Sequence, residues 1–341
     1  MRVLLVLDVA PDYRELFLRK FSKKCDLIVL AHACEKDNLN PPPERKGYTY
    51  IQLHDKGFKI RWNFDLQEQI KNFDPDIICV NLNFRYPIRI IDFFLSKFGN
   101  KRWLWWGPIF GRSEILNPFK RFLIKLSDGA VVYTDNIVNK LDNAHANALS
   151  FHNSQHSADD FKDFPNFVNG KINCLFVGRP QPRKRLDLLF EIAKSREDVE
   201  IRLAGPQMAD YFMDTEIPQN ISLYPAAHGE ELAEHFKWSN LVINPGHVGL
   251  LVMNAATHCR PIAIGSNVQH APEVELAKKA GQYFLDFEQK SEVNLFFDHI
   301  LNKPDELRTK GKQLFNMGRE QYTVEYMVEA HLKAFNNALV K

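Results

Sequence analysis

Short apolar runs rich in β-branched and aromatic residues recur along this chain, and the intervals between most of them are long enough to hold a helix. Val3–Leu7, Leu27–Leu30, Ile77–Val80, Trp103–Trp106 and Ala130–Tyr133 make one series. Ile172–Val177, Glu200–Ala204, Leu241–Asn244 and Pro261–Gly265 make a second, with helical periodicity over 186–195 and 230–239. Runs of this kind suit strands buried on both faces, so the repeated rhythm predicts α/β architecture built on parallel sheets. A chain of 341 residues exceeds the roughly 150 residues of a usual domain, and two domains are expected. Between Ser150 and Gly170 the pattern turns polar, with Phe151-His152-Asn153-Ser154-Gln155-His156-Ser157 followed by Asp159, Asp160 and Asp163. The boundary is expected there, giving domains over 1–160 and 161–320. Periodicity returns from Thr323 to Phe335, which reads as a closing helix within 321–341 that packs back on the N-terminal domain.

Composition narrows the function. Lys+Arg 44 against Asp+Glu 42 leaves no global field to draw nucleic acid, and no nucleic-acid partner is expected. Cys25, Cys34, Cys79, Cys174 and Cys259 are odd in number and scattered, which suggests neither a disulfide framework nor a zinc site. Asp8 interrupts the first apolar run too early for a signal peptide. No stretch reaches the ~18 uncharged apolar residues of a membrane span. A cytoplasmic protein is expected.

Val177-Gly178-Arg179, with Lys184 a few residues on, follows a strand-like run and precedes a helical one. At a strand-to-helix turn a glycine lets backbone approach a phosphate, and fixed cations compensate its charge. A diphosphate site and an ordinary turn with solvated Arg and Lys are both compatible with these residues, since neither GxGxxG nor GxxxxGK[ST] is present.

The order of landmarks from Lys171 to Ala334 resembles that of the family 4 glycosyltransferases. These are retaining enzymes with two facing Rossmann-like α/β domains, the type B glycosyltransferase fold, and a nucleotide-sugar donor in the cleft between them. Gly178, Arg179 and Lys184 correspond to the family's phosphate-binding turn, and Ile201-Arg202-Leu203-Ala204-Gly205 to its next strand. Leu223-Tyr224-Pro225-Ala226-Ala227-His228 lies where the family contacts the base, near Ala226 and Ala227. Pro245-Gly246-His247-Val248-Gly249-Leu250, running on to Asn254, resembles its signature helix. The family usually carries two glutamates eight positions apart there; Gly246 or His247 stands in the place of the first, since the loop before Gly249 is shorter, and Asn254 in that of the second. A subset of bacterial polysaccharide enzymes has a similar Pro-Gly-x-Val-Gly-Leu run.

The resemblance implies that Arg179, Lys184 and the backbone at Gly249-Leu250 would stabilise the leaving diphosphate, with no metal or cofactor. Asn254 could hydrogen-bond a ribose hydroxyl, and His247 either takes over a sugar contact or lies in solvent. Glu273 or Glu275 either touches the sugar or starts a helix. Asp74-Pro75-Asp76 has metal-pair spacing but directly precedes a strand, where a capping turn is expected. His152 and His156 share no helix, so no common metal is expected.

On the acceptor side, Tyr13, Arg14, Trp106 and Gly107 fall at strand ends, as does Tyr133-Thr134-Asp135. One of Trp103, Trp105 and Trp106 is expected at a sugar and the others in the core. Pro41-Pro42-Pro43 reads as a stiff surface loop. Asn117–Leu126 is amphipathic and sits in a basic stretch with Lys101, Arg102, Arg112, Lys120, Arg121 and Lys125. Such a helix packs on its sheet or rests on an anionic membrane. The expected activity is hexosyl or deoxyhexosyl transfer to a glycan or lipid-linked glycan of a bacterial surface polysaccharide, such as lipopolysaccharide. The alternatives are a catalytically silent binding protein and a nucleotide-sugar epimerase.

Overall fold

The computed structural model describes residues 1–34, 39–54, 56–57, 60–62, 65–97, 99, 101–110, 114–141, 147–165 and 168–340. Arg112, one of the basic residues noted above, lies outside the described residues. The chain forms two compact units, Met1–Gln155 with Val324–Lys341, and His156–Thr323.

The first unit runs β1 (Arg2–Val9), α1 (Asp12–Ser22), β2 (Asp26–His32), β3 (Thr49–Gln52), α2 (Asp65–Phe73), β4 (Ile77–Asn81), α3 (Ile88–Ser96), β5 (Arg102–Gly107), α4 (Asn117–Leu126), β6 (Gly129–Val132), α5 (Asp135–Lys140) and β7 (Ala148–Ser150). Its seven strands are parallel in the order β3-β2-β1-β4-β5-β6-β7. Alternation along each strand divides the core into two faces. Val3, Leu5 and Leu7 serve one face with Leu104 and Trp106, while Leu4 and Val6 serve the other with Trp103 and Trp105.

The second unit runs β8 (Ile172–Val177), α6 (Asp187–Ser195), β9 (Val199–Ala204), α7 (Met208–Tyr211), β10 (Ile221–Tyr224), α8 (Gly229–Trp238), β11 (Leu241–Asn244), α9 (Leu251–Thr257), β12 (Ile262–Gly265), α10 (Val274–Lys279), β13 (Tyr283–Leu285), α11 (Lys290–Asn302) and α12 (Pro304–Gln321). Its six strands are parallel in the order β10-β9-β8-β11-β12-β13. The strand order reverses between β1 and β4 in the first unit, and between β8 and β11 in the second. At such a switch point the crossovers leave on opposite faces and open a crevice at the strands' carboxyl ends.

The last helix, α13 (Val324–Val340), belongs to the first unit and packs against α1, β5, β6 and β7. His331 locks it in place: Nδ1–H donates to the Met327 carbonyl at 2.6 Å, and Trp106 Nε1–H donates to Nε2 at 3.0 Å. Burial pushes the pKa of this imidazole down to about 3, so it stays neutral and can accept.

Two features depart from the periodicity. Strands β3, β7, β10 and β13 are three or four residues long and form the sheet edges, where partial exposure leaves no buried apolar run like those of the equally short β6, β11 and β12. The polar stretch 151–154 is not a solvated linker, because Phe151, His152, Asn153 and Ser154 are buried. Its polar groups are paired inside the first unit: His152 stacks on Tyr326, the Ser154 amide meets Met327 Sδ at 3.3 Å, and Asn153 accepts from Arg14.

Candidate functional site

The carboxyl end of β8 turns at Gly178, whose φ of +151° favours glycine, and leads to a tight turn at Pro182–Lys184. That turn is tied to the loop after β11. The His247 amide donates to the Arg183 carbonyl at 2.8 Å, and Lys184 Nζ donates to the His247 carbonyl at 2.6 Å. Asn244, buried at the end of β11, reaches the same carbonyl at 3.2 Å. Gly246 fits only because it is glycine, since a Cβ there would lie 2.2 Å from the Arg183 carbonyl oxygen and 2.4 Å from the Lys184 carbonyl carbon. Position 246 therefore has no room for any side chain.

Burial, and secondarily Arg183, lowers the Lys184 pKa to about 8. Burial also lowers the pKa of His247, the largest influence there, and its Nδ1 meets the Gln269 carbonyl at 2.7 Å. A neutral ring donating from Nδ1 leaves Nε2 as an acceptor. Val248 is fully buried, with its amide on His270 Nδ1 at 3.2 Å and its carbonyl accepting from Ala271. Gly249 and Leu250 enter α9, and the amides of a helix's first turn have no acceptor within the helix.

Lys184 and His247 are thus hydrogen-bonded at the switch point, Gly246 packs against the same turn, and Val248, Gly249 and Leu250 follow along the chain. Arg179 is exposed beside Gly178 on the same edge. Ala226 is exposed and Ala227 buried in the loop between β10 and α8, two strands away from β8. Asn254 sits mid-helix in α9, and its Oδ1 meets His156 Nε2 at 2.7 Å, so its acceptor is already engaged. Glu273 is buried where α10 begins, and Glu275 pairs with Lys279 at 2.8 Å.

The first unit's switch point holds a pocket of about 620 Å³. Asp8 from β1 and Asn81 from β4 form its floor, with Tyr13, Arg14, Trp106 and Tyr133 among its walls. Asp8 is met by Arg89 at 2.6 Å and by Asn83 at 2.7 Å. With its amide oriented to donate, Asn81 adds a third donor at 2.8 Å. Arg14 is buried under Trp106 and Tyr133 and donates to Asn153 and to the Tyr133 hydroxyl. Trp106 stacks on Phe151 as well, whereas Trp103 and Trp105 are core residues. Gly107 has φ +111°, and a Cβ there would lie 2.7 Å from the Asn81 amide. It permits this turn rather than lining the pocket.

Thr134 caps α5, and Asp135 sits 3.0 Å from His152. Asp74 pairs with Arg2 and Lys101, and Asp76 accepts the Arg2 amide at 2.7 Å, which ties the turn before β4 to the start of β1. Asp8, Asn81 and Arg89 were not anticipated from the sequence. A polar residue closing an otherwise apolar strand is the signal that would have found the first two.

No protein-family model and no curated protein sequence matches the chain. Solved structures do resemble it. Sucrose-phosphate synthase from Thermosynechococcus elongatus superposes with a TM-score of 0.70 at 11% identity, covering 98% of both chains. HepE from Anabaena, in complex with UDP-glucose, gives 0.66 at 11% identity, over 98% of this chain and 100% of that one. The lipopolysaccharide outer core galactosyltransferase WaaB, in its apo form, gives 0.67 at 13% identity, over 100% and 99%. The two parallel α/β units of this chain are those of the type B glycosyltransferase fold.

Proposed function

We propose that the chain is a retaining glycosyltransferase. It moves a hexosyl or deoxyhexosyl group from a nucleotide-diphosphate sugar to a glycan or lipid-linked glycan in bacterial surface polysaccharide assembly. The observation that carries this reading is the contact of Lys184 with His247 at the β8/β11 switch point, with Gly246 packed on the same turn, in a fold shared with a protein that binds UDP-glucose. Transfer builds charge on the departing diphosphate. Lys184, Arg179 and the amides entering α9 at Gly249 and Leu250 are fixed donors suited to that charge, and such preorganised donors need no metal ion. Gly178 lets the backbone approach, the loop at Ala226 and Ala227 faces the base, and His247 Nε2 accepts from a sugar hydroxyl. Asn254 binds the ribose only if His156 yields its oxygen.

The first unit is the acceptor side, with Tyr13, Arg14 and Trp106 at the pocket and Gly107 shaping its edge. A peripheral contact at the inner membrane face is supported by α4, whose Phe119 and Phe122 are exposed beside Arg121 and Lys125. Among the described residues no helix is long and apolar enough to cross a membrane.

The test is turnover of UDP-, GDP-, ADP- and CMP-sugars by purified protein with and without EDTA, with product stereochemistry read by NMR. One donor consumed without a metal, with retention at the anomeric carbon, supports the proposal. Two observations favour a second reading, a silent binding protein: Gly246 excludes a carboxylate and Asn254 is held by His156. Nucleotide binding without turnover against any acceptor would select it.

A further inference from the structure

A buried arginine normally has its charge met by a carboxylate or its donors spent on carbonyl oxygens, because an uncompensated buried cation is costly. Arg260 follows the rule. It is fully buried, and its guanidinium reaches the Phe236, Phe164 and Pro165 carbonyls at 2.8–2.9 Å.

Arg14 does not follow it. It is 3% exposed, and two of a guanidinium's five N–H donors go to neutral partners, Asn153 and Tyr133. Among the described residues no carboxylate pairs with it. The acid among the pocket's lining residues, Asp8, is already occupied by Arg89, Asn83 and Asn81. Two further cations line the same pocket. Lys120 is buried with Nζ on the Ile109 carbonyl at 2.6 Å, and Arg85 is exposed, both lacking a carboxylate partner among the described residues. The pocket therefore joins three unneutralised cations to one carboxylate that is fully engaged.

We infer that this pocket binds an acceptor carrying a phosphate group, with Arg14 as its principal contact and Lys120 and Arg85 beside it. The inference rests on assigning the first unit to the acceptor, and it names the acceptor's chemical class. A phosphate accepts bidentate donation from a guanidinium and completes the charge that the protein leaves open. The phosphate belongs either to a free sugar phosphate or to a membrane lipid headgroup.

The experiment measures thermal stabilisation by glucose 6-phosphate against glucose, and co-sedimentation with phosphatidylcholine vesicles with and without phosphatidic acid. It uses wild type, Arg14→Gln and, as a control for phosphate bound in the second unit, Lys184→Ala. Glucose 6-phosphate but not glucose should stabilise wild type and Lys184→Ala, with affinity about tenfold to a hundredfold weaker in Arg14→Gln. That outcome assigns a soluble acceptor. Sedimentation that needs phosphatidic acid and is lost in Arg14→Gln assigns a lipid-borne one.

Absence of both responses in wild type, or equal responses in Arg14→Gln, overturns the inference. Should Arg14→Gln fail to fold, Arg85→Gln at the exposed mouth replaces it. A severalfold loss then supports the site, and an unchanged response refutes it. UDP serves as the separate readout. Phosphate binding without any nucleotide binding would leave the pocket standing while the donor reading fails, and nucleotide binding alone would do the reverse.

Discussion

The two switch points share one topology and differ in how they are furnished. In the first unit, β1 and β4 end at a cavity of about 620 Å³ where Arg14 faces open space with donors to spare. In the second, β8 and β11 end in backbone packed on backbone, with Lys184 already spent on the His247 carbonyl. A parallel sheet supplies the crevice in both cases, and the residues at the strand ends decide how it is furnished. Polar strand ends, Asp8 and Asn81, hold one crevice apart through Arg89. A glycine, Gly246, lets backbone meet backbone at the other. The first offers a cavity with spare donors, whereas in the second a diphosphate meets a lysine that already donates to the protein's own backbone.

The largest effect should come from forcing the Gly246 backbone contact apart. Gly246→Glu would drive a side chain into the Arg183–Lys184 backbone and should cost about 3 kcal/mol or more. Denaturant unfolding measures it, and an unchanged midpoint would contradict the close approach. Next in size is Lys184→Ala, which should weaken nucleoside diphosphate binding by roughly 2 kcal/mol, the scale of a charged hydrogen bond.

In the wild type the same lysine makes binding depend on pH. With its pKa near 8 the free protein sheds that proton as pH rises through 8, and a bound diphosphate restores it. Affinity should therefore fall above pH 8 with proton uptake, detectable by calorimetry in buffers of different ionisation enthalpy. Constant affinity from pH 7 to about 9.5 would mean the diphosphate does not reach Lys184.

His331→Phe tests what supports the open crevice. It strands the Trp106 N–H and should cost about 1–3 kcal/mol. In the wild type, the unfolded chain takes up a proton near pH 6.5 whereas the folded imidazole resists until about 3. Stability should accordingly drop as pH falls through that interval, and this slope should flatten in the variant. The smallest change is His156→Ala. It removes the His156 contact of the Asn254 oxygen and should alter nucleotide affinity by about 1 kcal/mol or less. A larger gain would show that ribose and His156 compete.

Both sheets were legible because fully buried strands leave continuous apolar runs, such as Ile77–Val80, while edge strands such as Thr49–Gln52 left none. Periodicity also revealed α13 but not its anchor, since the pairing of His331 with Trp106 spans 225 positions. Gly246 shows the same limit. As an aligned residue it looked like a missing acid, and only the fold shows a backbone contact that excludes one. Phe151–Ser154 looked like a linker because a hydrophobicity pattern cannot distinguish buried, mutually satisfied polar groups from solvated ones.

The most direct measurement is calorimetric titration of UDP, GDP, ADP and CMP into wild type and the Arg179→Ala/Lys184→Ala double variant, whose side chains lie at the second unit's strand ends. A nucleotide-sugar donor at the β8/β11 switch point requires one nucleoside diphosphate to bind wild type and to lose at least about tenfold in affinity in the double variant. Binding that survives both substitutions unchanged, or no binding of any nucleotide, would contradict it.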